Sequence, residues 1–289
     1  MSKILYSKPG IDSKIEGLKQ RSNELSSRGL QPYLQVIIVG DNPASKLYVR
    51  NKERFCKKLD IKFKLISLPD SISEKDFLFE VNKMNNNKLV TGCFVQLPIP
   101  KHLSENLDIT QIIDPLKDVD GFHYKNTEHI YRNSKFGIRP CTPKGIVTIL
   151  QENNIEIKGQ NIVIIGRSSI VGKPLSLMLT NLDATVTICH SKTKDVRSFT
   201  KNANIIISAI GKPNFIDKTF LSKNKDQTII DVGINNLGNS LVGDCDFKDI
   251  KNDVKAITPV PGGVGPMTIF SLMQNILETT NNILLQKDK

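Results

Sequence analysis

The sequence has no tryptophan, only 6% aromatic residues and only four histidines in 289 positions. The aromatic shortage bears first on nucleic acid. Single-strand binders interleave aromatics with basic residues, and here 40 lysines and arginines are spread along the chain with no dense basic block. The net charge of +11 therefore points to a solvated surface or a small anionic ligand. A basic nucleic-acid-binding module stays as a rival reading, but the expectation is no nucleic acid. His102, His123, His129 and His190 show no ligand spacing, so no metal is expected. The five cysteines (Cys56, Cys93, Cys141, Cys189, Cys245) are scattered and odd in number, and none forms CxxC. That excludes a zinc ribbon or a disulfide framework and fits a reducing, cytoplasmic setting. No run of about 18 apolar residues is present, so no membrane partner is expected. The opening MSKILYSKPGIDSKIEG lacks the apolar block of a signal peptide.

What is present is a rhythm. The hydrophobic fraction of 39% is enough for a substantial core. In the first half, residues 34–40, 61–67 and 90–98 read as strands, separated by helical spacing over 43–59 and 73–86. Asp41 or Asn42 is a candidate cap for the first of these helices, with Pro43 at a position that needs no N–H. Residues 115–143 break the rhythm with a polar segment punctuated by Pro and Gly, followed by a helix. A second strand series then runs through 161–166, 184–190, 203–211, 227–233 and 254–260. Its spacing predicts a Rossmann-like sheet. A final helix is expected from Pro266 onward. The fold class is α/β with mainly parallel sheet.

The strand NIVIIG enters Gly166-Arg167-Ser168-Ser169-Ile170-Val171-Gly172-Lys173-Pro174. A glycine-bearing turn between strand and helix can present backbone N–H groups to a phosphate. The spacing is not GxGxxG, and a tight turn with no ligand is the plain alternative. The next strand ends Cys189-His190-Ser191-Lys192, without the carboxylate that holds the ribose of NAD. A hydroxyl, a lysine and Arg167 would instead welcome a 2′-phosphate, which favours NADP. Asp195, a few residues on, leaves that choice open.

Tyr48 and Lys52 stand four apart on the first predicted helix and share a face. Such a pair is ordinarily an amphipathic helix whose lysine stem lies along apolar surface. However, the following strand ends in Val95-Gln96-Leu97-Pro98, and open α/β sheets bind ligands at carboxyl ends of strands. A glutamine there can hold a lysine without pinning it as an ion pair, leaving it able to transfer protons. Asp118 and Asp120 follow in KDVDG, a pattern that alone reads as turn chemistry. Thr258-Pro259-Val260-Pro261-Gly262-Gly263-Val264-Gly265-Pro266 is either a rigid turn or a close approach of backbone to a planar ligand.

Taken together, VGDNPASKLYVRNK, VQLPIP, KDVDGFH, RPCTPKGI, GRSSIVGKPL, the CHS after the second strand, DVGIN, GDCDF and TPVPGGVGPMT resemble one family in order. It is the bifunctional methylenetetrahydrofolate dehydrogenase/methenyltetrahydrofolate cyclohydrolase family. The resemblance implies two α/β domains flanking a cleft, the second a Rossmann-like dinucleotide-binding domain. It implies a folate-binding catalytic domain over 1–140, joined by the C-terminal helix at about 270–289, and an NADP-binding domain over 141–269. It also implies oxidation of 5,10-methylenetetrahydrofolate by NADP, hydrolysis of the methenyl product to 10-formyltetrahydrofolate, folate substrates that carry glutamate tails, and a homodimer. Lys52 matches the family's catalytic lysine, Tyr48 the tyrosine that packs on folate, Gln96 the residue that tunes the lysine, and Asp120 the aspartate that bonds the pterin. Leu97, Pro261, Gly262 and Gly263 complete the substrate set. Gly166, Arg167, Ser168, Ser191 and Ile234 match cofactor contacts. The chain departs from the family at Tyr124–His129, where Pro and a glycine turn are usual, and at Cys245, where valine is usual. A dehydrogenase-only or NAD-using relative is the alternative within the family.

Overall fold

The computed structural model describes residues 2–238 and 240–287. In chain order the elements begin with β1 (Lys3–Ile4), α1 (Lys8–Ser27), β2 (Tyr33–Val39), α2 (Pro43–Lys58), β3 (Lys62–Leu68), α3 (Glu74–Asn86), β4 (Gly92–Val95), α4 (Lys101–Ser104), α5 (Tyr124–Tyr131) and α6 (Cys141–Glu152). They continue with β5 (Asn161–Ile165), α7 (Gly172–Thr180), β6 (Thr185–Cys189), α8 (Val196–Thr200), β7 (Ile205–Ser208), β8 (Thr228–Asp231), β9 (Asn235–Leu237), β10 (Ser240–Val242), α9 (Phe247–Ile250), β11 (Ala256–Ile257) and α10 (Val264–Lys287). The chain divides into two compact units. One joins Ser13–Cys141 to Ile269–Lys289; the other joins Met1–Asp12 to Thr142–Thr268.

The first unit holds a three-stranded parallel sheet in the order β3-β2-β4. Every residue of β2 is buried, as expected for a parallel strand covered on both faces. Phe77, Val81 and Met84 of α3 pack with Ile37 and Val95 to form its core. The second unit holds six parallel strands in the order β6-β5-β7-β8-β11-β1. In both sheets the first strand of the unit's βαβ series lies between the second and third, so strand order reverses beside it. That switch point is where α/β sheets leave a crevice at their carboxyl ends.

The α/β class and the parallel pairing agree with the sequence reading. Three local features differ from it. The polar stretch 115–143 contains α5, a helix with a sparse apolar period that buries only Asn126 and Ile130. Its cap is unusual too, since His123 Nδ1 accepts from the Lys125 N–H at 3.2 Å. Residues 1–12 lie with the second unit, because β1 pairs with β11. Two residues of strand are too short to show a period. The antiparallel β9–β10 pair is likewise too short to stand out.

Candidate functional site

Helix α2 places the first group. Asn42, not Asp41, is its cap, accepting from the Ser45 N–H at 3.1 Å. The buried stripe of α2 is Ser45, Val49, Lys52 and Cys56. Their spacing is that of the inward face of a helix, so Lys52 takes a core position. It is 7% exposed. Its Nζ donates to Gln96 Oε1 at 2.9 Å, and Gln96 Nε2 donates to the Leu97 carbonyl at 2.8 Å. The second bond fixes which end of the amide faces the lysine. The Lys52 Nζ lies 4.0 Å from the Phe94 ring centroid and 5.9 Å from that of Tyr48.

Burial holds the Lys52 ammonium below the usual lysine range, while the Asp120 carboxylate pulls it back up. The Phe94 ring face also favours the cation. Asp120 is pushed up to about 6 by desolvation, against the opposing pull of Lys52. Burial likewise raises Tyr48. Asp120 Oδ1 accepts from Cys141 Sγ at 3.8 Å, and Asp120 lines a small cavity with Phe94, Leu97 and Phe122.

Asp118 builds the turn that carries Asp120. Its oxygens accept from Gly121 N at 2.9 Å, His123 N at 2.8 Å and Asn126 Nδ2 at 3.0 Å. Gly121 has φ +72°, and a Cβ there would meet the Arg139 and Pro140 backbone at 2.8 Å, so glycine is required. Tyr48, Lys52, Gln96, Leu97 and Asp120 thus belong to one neighbourhood of the first unit. Phe94 was not singled out from the sequence. Its signal is position alone: it precedes Gln96 by two on the strand and so shares its face.

The second group surrounds the switch point of the six-stranded sheet. A cavity of about 480 Å³ is lined by Gly166, Arg167, His190, Ser191, Ile210 and Lys212, among others. A Cβ on Gly166 would strike the Ala209 carbonyl, and one on Gly172 would strike the Gly166 carbonyl. The turn is therefore a glycine-only cradle. Ser168 pins it from within, its Oγ accepting from the Val171 and Gly172 N–H groups at 3.2 and 3.4 Å. Arg167 and Ser191 are exposed. Asp195, which left the choice of dinucleotide open, caps α8 and accepts from Arg197 N at 3.0 Å and Ser198 N at 3.3 Å. Ile234 is exposed just beyond β8, outside the cavity lining. Pro261, Gly262 and Gly263 are tied to the N-terminal segment. Ser7 N donates to the Gly262 carbonyl at 3.0 Å, and Ser7 Oγ to the Gly263 carbonyl at 2.5 Å. That brace was not visible in the sequence.

Among the described residues no cluster of three or more His, Cys, Asp or Glu could hold a metal, and no helix is long and apolar enough to cross a membrane.

Residues 7–120 match the family model described as tetrahydrofolate dehydrogenase/cyclohydrolase, catalytic domain. Residues 140–284 match that described as tetrahydrofolate dehydrogenase/cyclohydrolase, NAD(P)-binding domain. The bifunctional protein FolD of Campylobacter hominis is 46% identical over 276 residues, 95% of this chain and 96% of that protein. That of Sulfurihydrogenibium is 43% identical over 286 residues, 98% and 99% of the two chains. The solved structure of the bifunctional enzyme FolD from Campylobacter jejuni has a TM-score of 0.92 at 40% identity, covering 98% of this chain and 99% of its own. The Trypanosoma brucei methylenetetrahydrofolate dehydrogenase-cyclohydrolase, solved with NADP cofactor and inhibitor, has a TM-score of 0.91 at 29% identity, covering 97% and 98%.

Proposed function

The chain belongs to the tetrahydrofolate dehydrogenase/cyclohydrolase family, and on that premise we propose that it is a bifunctional enzyme of one-carbon folate metabolism. It oxidises 5,10-methylenetetrahydrofolate to the 5,10-methenyl cation with NADP, then hydrolyses that cation to 10-formyltetrahydrofolate. When bound, NADP supplies the acceptor for the hydride that leaves the methylene carbon. The residues present fit it. The Gly166 cradle admits a phosphate close to backbone, and Arg167 and Ser191 line the same cavity with no carboxylate among its lining residues. Gly166, Arg167, Ser168 and Ser191 are assigned to its phosphates, and Ile234 to the nicotinamide side.

The observation that carries the hydrolytic half is a buried lysine held by a neutral amide. Hydrolysis consumes one water and releases one proton, so the site needs a base. With its ammonium destabilised by burial, Lys52 Nζ serves as that base, and the neutral form also tolerates the methenyl cation beside it. Gln96 orients the lysine without fixing its charge. Asp120 bonds the pterin, Tyr48 and Leu97 pack against folate, and Pro261, Gly262 and Gly263 approach the planar ligand. Folate bearing a polyglutamate tail, a homodimer and a cytoplasmic location complete the proposal. All five thiols are free and buried, which fits a reducing compartment.

The test follows the methenyl product spectrophotometrically with NADP and NAD side by side. The expected result is methenyl formation with NADP preferred, followed by its decay to the formyl product. Lys52→Met is expected to cut hydrolysis of added methenyl substrate by about 10²–10⁴-fold, the range for a lost general base. Full cyclohydrolase activity in that variant would refute the role of Lys52.

A further inference from the structure

The second unit contains a carboxylate arrangement that none of the assigned roles uses. Two short segments, Asp231-Val232-Gly233 and Gly243-Asp244-Cys245, interlock reciprocally. Asp231 Oδ1 accepts from Gly233 N at 3.1 Å and Asp244 N at 2.8 Å, and its Oδ2 accepts from Cys245 N at 2.9 Å. A Cβ on Gly243 would collide with the Asp231 carboxyl, and one on Gly233 with that of Asp244. The two glycines are therefore the space into which the two carboxylates fit. Asp231 is 2% exposed and Asp244 is fully buried.

Asp244 looks outward from this lock toward the end of β7. Its Oδ2 accepts from Ser208 Oγ at 3.1 Å, Ile210 N at 2.8 Å and Gly211 N at 3.3 Å. Its Oδ1 accepts from Lys212 N at 2.9 Å and Asn235 Nδ2 at 3.1 Å. Three consecutive backbone N–H groups thus converge on one carboxylate. Such convergence fixes a loop in one shape, because each N–H would otherwise be a costly orphan. Gly211 has φ +65°, as the tight path of this loop requires. Ile210 and Lys212 line the same 480 Å³ cavity as Gly166, Arg167 and Ser191. Asn235, the fifth donor, is the immediate neighbour of Ile234.

We propose that Asp244 is a positioning residue for the cofactor: it shapes the β7-end wall of the dinucleotide cavity by holding Ile210, Gly211 and Lys212, and through Asn235 it orients the Ile234 segment. This rests on the reading of that cavity as the NADP site. The inference is separable from that reading because hydrolysis of the methenyl substrate does not consume NADP.

The test compares the full-length protein with Asp244→Asn, which keeps the size and removes the charge that gathers five donors. NADP binding is measured directly by titration calorimetry, alongside both activities and thermal unfolding. The expected result is a Kd and KM for NADP raised about tenfold, the scale of one lost charge-assisted network. Folate KM and cyclohydrolase kcat are expected to stay within about twofold, since a distant structural lesion would not single out the cofactor. A folded variant with unchanged NADP affinity overturns the proposal, and so does an equal loss of cyclohydrolase. Should Asp244→Asn fail to fold, Asn235→Ala and Ser208→Ala each remove one donor and keep the carboxylate. Each is expected to weaken NADP binding about threefold, and no change in either overturns the proposal. If the unaltered protein itself binds no NADP, the functional reading has failed rather than this inference.

Discussion

At Lys52 three influences on one ammonium can be ranked by direction. Burial disfavours its charge, whereas the Asp120 carboxylate and the Phe94 ring favour it. Burial wins, and Gln96 is the partner that lets it win. An amide accepts the Nζ hydrogen bond without adding a negative charge. Gln96→Glu keeps the shape and adds that charge. A new carboxylate at 2.9 Å stabilises the ammonium, so a higher pH is needed to free the amine. The acid limb of the cyclohydrolase pH profile, where activity rises as the lysine loses its proton, is expected to move to higher pH by about one unit or more, the scale of an adjacent ion pair. Activity at neutral pH should fall accordingly. A profile that stays in place, measured as kcat against pH, would remove Gln96 from the tuning role. How much of this site was readable in advance follows from what each residue does. Lys52 stands out only in company, because it shares a helix face with Tyr48 and the following strand ends in Gln96. Phe94 does not stand out, because a phenylalanine in a buried strand is ordinary until a cation is found above it.

At the level of elements, the order of the site depends on how helices and turns begin. α2 starts at a cap that the sequence shows directly: Asn42 with Pro43 behind it, and a hydrogen bond to Ser45 N. Removing that cap should loosen the first turn of the helix that carries Tyr48 and Lys52. Asn42→Ala is expected to lower unfolding free energy by about 1 kcal/mol, measured by urea denaturation, with an unchanged m-value. No loss of stability would mean that the turn is held by tertiary packing alone. The α5 region shows the opposite case. Its stability comes from Asp118, Asn126 and the backbone of Ile138, which accepts no local pattern as a description: Asn126 Oδ1 takes the Ile138 N–H at 2.9 Å while its Nδ2 serves Asp118. Contacts between residues 8 and 12 positions apart leave no period in a sequence, so the segment reads as irregular. The same holds for β1 and Ser7, whose partners lie some 250 residues away. Elements fixed by local rules were legible; those fixed by distant hydrogen bonds were not.

For the whole molecule, burial holds the carboxyl groups of Asp120 in one unit and Asp231 in the other at about 6. Both are raised above the ordinary value of 3.8. A raised carboxyl binds its proton more tightly in the folded chain than in the unfolded one. Its contribution to stability is therefore complete below about pH 4 and lost as pH rises through about 6. The net charge of +11 acts in the other direction, since acid adds positive charge to an already basic chain. The total stability curve mixes these effects, so a difference curve is the cleaner measurement. Asp120→Asn has no proton to lose at this site. Relative to the unaltered protein, its unfolding free energy should rise between pH 4 and pH 6 and then level off above pH 7. The gain is on the order of 2 kcal/mol, from 1.36 kcal/mol per unit of pKa and reduced because Asp120 is only partly buried. Urea titrations at half-unit steps would show it. A difference that stays flat from pH 4 to 7 would mean that the folded chain does not hold the Asp120 proton.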